Sequence, residues 1–169
     1  MGLPFPEPTG PVPTREQLYL RYLDYFRSTV LAKVDGLTDG QLRGSALPSG
    51  WSPLELVHHL AWVERRWLVW GFEVHDLPDP WGDEHEGRWH VPDGTSAAEV
   101  LDVLRAQGAT TRRIVEGHPL DERGQPSGRW DGAEPATLER VLLHLLQEYA
   151  RHAGHLDVAR ELLDGVTGE

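Results

Sequence analysis

Cysteine is absent from the chain, which excludes a disulfide framework, a thiol nucleophile and any Cys-ligated metal site. Any thiol chemistry has to arrive with a ligand. Basic residues are scarce as well: 16 Lys and Arg face 27 Asp and Glu for a formal net charge of -11, and Lys33 is the sole lysine. A field of that sign repels phosphate backbones and anionic lipid surfaces, so nucleic acid is not an expected partner. Long apolar runs are also missing. No hydrophobic stretch approaches the roughly 20 residues of a membrane span, and Met1 to Pro8 has neither the basic nor the apolar segment of a secretory leader. The expectation is a soluble, cytoplasmic protein with no membrane partner.

What the chain does contain is a set of helix signals. With 169 residues and 39% hydrophobic content it can bury one core but hardly two. Residues 1–13 carry five prolines and read as an extended N-terminal arm, leaving 14–169 as a single helical domain. Thr14-Arg15-Glu16-Gln17 fits a capping box, and Leu18, Tyr22, Phe26 or Tyr25, Thr29 or Val30, and Lys33 or Val34 recur at helical spacing until Gly36. Ser52-Pro53-Leu54-Glu55 opens a second helix running to about Trp70, because Ser caps, Pro tolerates the first helical position and Glu closes the box. Ser96 to Glu99 opens a third helix that Gly117 ends, and a fourth runs from Thr137 to Asp164 with Gly165 as its C-cap. Two long connections remain. Residues 71–94 hold Phe72, Trp81 and Trp89, aromatics too costly to leave in a solvated linker, so this segment reads as a lid. Residues 117–136 contain Trp130 and are open between a short hairpin around Pro126-Ser127-Gly128 and a plain loop. The fold class expected is all-α, a four-helix bundle with long loops after helices 2 and 3.

The densest set of ligand-type side chains lies on the fourth helix. At about 100° per residue, taking Leu145 as reference, His152 lies about 20° away, Glu148 about 60° and His155 about 80°, all on one side of the apolar stripe; His144 falls about 100° off it. Glu148 and His152 are four apart, so their side chains stack over one turn and can converge on one cation. On the second helix the same arithmetic puts His59 about 60° from the apolar centre and His58 about 160°, with Arg65 and Arg66 also on the outer arc. His59 is thus the expected third donor and His58 faces solvent. His75, His85 and His90, interspersed with Asp79, Asp83, Glu84 and Glu86, match no standard metal spacing. Two His and one carboxylate would leave coordination positions open, which is the catalytic rather than the structural pattern. On spacing alone, a surface ion pair of Glu148 with Arg151 or Arg140 is an equally good reading.

Three blocks carry a resemblance: Pro48-Ser49-Gly50-Trp51-Ser52, the run His58-His59-Leu60-Ala61-Trp62 to Trp67, and Glu148-Tyr149-Ala150-Arg151-His152-Ala153-Gly154-His155-Leu156-Asp157 with Arg160-Glu161 and Asp164-Gly165 behind it. From about Gln17 to Gly165 the chain resembles the DinB-like superfamily of bacterial four-helix metal-binding proteins, in the actinobacterial branch called mini-circle proteins. The resemblance implies a divalent metal held by His59, Glu148 and His152. Zinc is the first expectation, and nickel, iron or manganese suit the same donors. Many relatives have histidine where this chain has Glu148; thiol-dependent members such as mycothiol-dependent maleylpyruvate isomerase are similar in using Glu and His. His155 stands where other branches often have Gln, so it is expected either to hydrogen-bond a ligand from behind or to serve as a fourth ligand. The function implied is a metal-dependent transferase or isomerase using a low-molecular-weight thiol of the mycothiol type on a small-molecule substrate. A metal-dependent hydrolase and a non-catalytic, dimeric metal-binding stress protein are the alternatives. Relatives suggest a homodimer, although no residue here locates an interface.

Overall fold

The structure, a computed structural model, describes residues 3–167. Four long helices build it: α1 (Arg15–Val34), α3 (Pro53–Glu64), α4 (Ala97–Gly117) and α5 (Leu138–Asp164), with a short α2 (Asp39–Arg43) between the first two. The all-α bundle expected from the helix signals is what forms. α1 packs along α5, and α3 is wedged between α4 and α5. The local signals act as the chemistry requires. Ser52 and Ser96 each accept from the backbone amide three residues on while Glu55 and Glu99 return the bond, Thr137 caps α5, and Gly165 ends it at φ 76°.

α1 departs from expectation in its rotation. Leu18, placed on the apolar stripe, is 41% exposed, and the buried row is Leu20, Leu23, Arg27, Val30 and Val34. Apolar groups occupy two flanks of this helix, and the second flank takes the N-terminal arm. Phe5 packs edge-on against Tyr25 at 5.2 Å, the Tyr22 hydroxyl donates to the Pro6 carbonyl at 3.0 Å, and the Leu3 amide donates to Ser28 Oγ at 3.0 Å. Periodicity cannot rank two flanks when each has its own partner.

One polar cluster ties the four long helices together. Glu64 of α3 is fully buried. Its carboxylate accepts from Arg27 of α1 through Nη2 at 2.8 Å and Nε at 3.2 Å, and from the hydroxyls of Thr111 on α4 and Tyr149 on α5. A buried charge is tolerated only when paired and hydrogen-bonded, and here every helix contributes one partner.

The second long helix reaches Phe72, but from Arg65 to Phe72 it is a π-helix. Bonding to the fifth residue changes the angle per residue, so helical-wheel arithmetic fails there. Arg66, assigned to the outer arc, is buried because the lid closes over it with the Asp83 carboxylate and the Pro80 carbonyl. Close packing makes Gly71 necessary in this segment: a Cβ there would meet the Arg66 carbonyl at 3.1 Å and Arg129 Cγ at 3.2 Å. Trp130 Nε1 donates to the Gly71 carbonyl at 3.1 Å.

The two long connections are ordered differently. The 71–94 segment contains a two-residue-per-strand hairpin, β1 (Glu84–His85) and β2 (Arg88–Trp89), turned by Glu86 and Gly87 at φ 51° and 76°. Both turn residues having positive φ is the twist-compatible hairpin turn, with Gly at the second position. In 117–136 the element that forms is a 3-10 turn, Gly128–Trp130, and Arg123 bridges Thr137 in antiparallel fashion. Among the described residues no helix is long and apolar enough to cross a membrane.

Candidate metal centre

α5 delivers Glu148 and His152 to one edge of its buried face, and α3 delivers His59 opposite them. His59 and His152 are buried and Glu148 is half-buried. One donor atom from each lies within 4.8 Å of the other two. Glu148 Oε2 is 3.3 Å from His152 Nε2 and 3.8 Å from His59 Nε2. These gaps are long for hydrogen bonds but match donors sharing an ion: metal bonds of about 2.0–2.1 Å at tetrahedral angles separate two donors by about 3.3 Å. The cluster is compatible with a divalent metal.

Electrostatics favours an anionic Glu148 and a neutral His152, the states in which each can hold an ion. The imidazoles of His152 and then His59 hold the Glu148 carboxyl well below the usual carboxylate range, against partial burial that pushes it up. Burial pushes the His152 imidazole down, while Glu148 pulls it the other way. Burial likewise lowers His144, whose Nε2 stands 3.6 Å from the outer oxygen Glu148 Oε1.

Outer partners orient each ring. His59 Nδ1 is 2.8 Å from Asp83 Oδ2, an acceptor that fixes a proton on Nδ1 and turns Nε2 toward Glu148 as the atom available to a metal. Asp83 is fully buried; burial alone would raise its pKa, but the bonds from His59 and Arg66 outweigh that and hold it low. Arg66 donates to both Asp83 oxygens. The Trp89 ring lies over His59 at 3.8 Å between centroids, and Trp51 packs on His152 at 5.5 Å and on His155 at 5.6 Å. His155 Nδ1 lies 3.3 Å from His152 Nδ1, on the far side of that ring from Glu148. Its place is thus behind His152 and outside the three-donor group.

His58 contradicts its expected exposure. It is buried at 8%, with Nδ1 2.8 Å from the His90 carbonyl and Nε2 accepting from Trp62 Nε1 at 2.8 Å. The outer arc of α3 is real, but the lid folds over it, and burial lowers the His58 pKa. His75, His85, Asp79, Glu84 and Glu86 of the lid stay exposed and outside the cluster. Asp83 was the member that sequence reasoning missed. Its only local signal was an acid beside Trp81, and nothing in its spacing linked it to His59 across 24 residues.

The cluster opens into a cleft of about 350 Å³ whose walls include Trp67, Trp81, Trp89 and Arg129. Fold and site together define a helical-bundle protein with an open two-His, one-Glu centre beneath an aromatic lid. The chain belongs to the mycothiol-S-transferase family, whose sequence model matches residues 18–165. That agrees with the DinB-like resemblance of its His58–Trp67 and Glu148–Asp157 blocks. A crystal structure of a conserved protein from Enterococcus faecalis is similar over 92% of this chain and all of its own, with a TM-score of 0.61 at 19% identity, a likeness of fold. No curated protein matches the chain.

Proposed function

We propose that the protein is a divalent-metal-dependent transferase that activates a low-molecular-weight thiol of the mycothiol type for attack on a small electrophile. The observation that supports this most directly is the three-donor set itself, His59, Glu148 and His152, open on one side to the cleft. A structural zinc site is normally closed by four protein ligands, whereas three with room beside them suit catalysis. A divalent metal, zinc by the donor set, supplies there the Lewis acidity that lowers the pKa of a thiol. The chain contributes the rest. Asp83 keeps the His59 proton on Nδ1, Glu148 stays anionic, and Trp51 and Trp89 shield the imidazoles from water. A cysteine-free chain has no thiol of its own to offer.

The test is a cobalt-substituted protein titrated with mycothiol. The visible bands of the metal are expected to shift and intensify as a sulfur donor enters. No change at saturating thiol would remove the thiol reading, leaving metal-dependent hydrolysis or a bundle-stabilising role for the same donors. Asp83→Asn supplies an independent check on the ligand set. Losing an outer partner of a ligating His lowers metal affinity about 10–100-fold, measured here by chelator competition with helical circular dichroism unchanged. Unaltered affinity would mean that Asp83 serves Arg66 alone.

A further inference from the structure

The cleft beside the His59–Glu148–His152 cluster contains a guanidinium with no counter-charge. Arg129 is half-buried, and its Nε is buried without a hydrogen-bond partner. No carboxylate pairs with it among the described residues; burial lowers its pKa, and the charge of Arg66 acts in the same direction. Shortage of acids is not the reason, since they outnumber bases 27 to 16. Arg66, on the same wall of the cleft, is fully committed to Asp83.

Arg129 is nevertheless held in place. Its guanidinium carbon lies 3.5 Å from the centre of the Trp67 ring and 5.9 Å from that of Trp81. Its stem lies against Gly71, where an added Cβ would come within 3.2 Å of Arg129 Cγ, and its amide donates to Ser127 Oγ at the start of the 3-10 turn. Aromatic faces can fix a guanidinium while leaving its N–H edge unpaired. The anchor is shared with the reaction centre. Trp67 packs on His144 at 4.7 Å, and His144 is 3.6 Å from Glu148. A half-buried, prepositioned guanidinium separated from the proposed ligand Glu148 by the Trp67 and His144 rings is a receptor for an anion.

We propose that Arg129 recognises a carboxylate on the electrophilic substrate, so that the protein acts on small organic acids with an apolar or planar body. This rests on the reading of the three-donor cluster as the reaction centre. One free guanidinium matches one negative charge, and its planar fork matches the two oxygens of a carboxylate. The tryptophan walls suit the apolar remainder of such an acid.

Tryptophan fluorescence gives the readout, with benzoate and its neutral analogue benzamide as probes of the metal-loaded and the chelator-stripped protein. Benzoate is expected to bind about tenfold or more tighter than benzamide, the range of a hydrogen bond to a charged group, in both forms. Arg129→Gln should bring that ratio toward unity with metal content unchanged. Arg129→Lys, which keeps the charge and loses the fork, should fall between. Loss of the preference on stripping would overturn the proposal, because the metal would then be the carboxylate's partner. So would an undiminished ratio in Arg129→Gln, or displacement of benzoate by inorganic phosphate at equal concentration. A preference that survives in a protein unable to take up metal would support Arg129 while removing the metal reading, so the two fail separately.

Discussion

His152→Ala and Glu148→Gln proteins are expected to be purified with little metal, where the unaltered protein holds close to one equivalent. His152 supplies a neutral, buried nitrogen and Glu148 the charge of the cluster. Each is one of three donors. Losing a donor costs more than losing its outer partner, so an affinity fall beyond about 100-fold follows. The two substitutions complement each other. His152→Ala also removes packing against Trp51, whereas Glu148→Gln preserves volume and removes only the charge. His85→Ala serves as the control, because His85 is exposed on the lid and lies outside the three-donor group. Metal analysis by mass spectrometry of the purified proteins decides the matter. Unchanged metal in both site variants would discard His59, Glu148 and His152 as the ligand set, and with it the catalytic reading built on them.

The largest stability effect is expected at Glu64. Glu64→Gln leaves Arg27 buried beside a neutral amide and deprives the hydroxyls of Thr111 and Tyr149 of their anionic acceptor. Breaking a buried ion pair by removing one partner costs about 3–5 kcal/mol. The lower end applies here, because Asp24 still accepts from Arg27 Nη1 at 2.8 Å. Urea denaturation should show the loss as a lower midpoint with an unchanged slope. The double variant Arg27→Met with Glu64→Leu should cost less than the sum of the single changes, since no charge is then left without a partner. A Glu64→Gln loss below about 1 kcal/mol, the size of an exposed pair, would show that water reaches this cluster and that it does not hold the four helices together.

Much of the bundle was legible because helix ends are local chemistry. Ser52 with Glu55, Ser96 with Glu99, Thr137 and Gly165 satisfy orphan backbone groups within a few residues of themselves. The spacing of Glu148 and His152 was equally local, one helical turn read directly from the chain. Failures began where a face has a partner from elsewhere. His58 obeyed helical geometry and was still buried, because the lid returns over it from 32 residues away to offer the His90 carbonyl. Leu18 lost its place to Leu20 and Leu23, because the proline-rich arm took the neighbouring flank. Arg66 was buried as His58 was, because Asp83 and the Pro80 carbonyl of the lid close over it.

The sequence by itself determined the helical class, the start of α3, the ends of α4 and α5, and the one-turn spacing of Glu148 and His152, all set by interactions that span one or two turns. Only the tertiary structure decided what surrounds that pair. Asp83 behind His59, Trp51 against His152, and the unpaired Arg129 in the cleft come from three separate stretches of chain. Their pairing depends on which way the lid and the 128–130 turn pack, and that is set by burial summed over the whole bundle rather than by any residue's near neighbours.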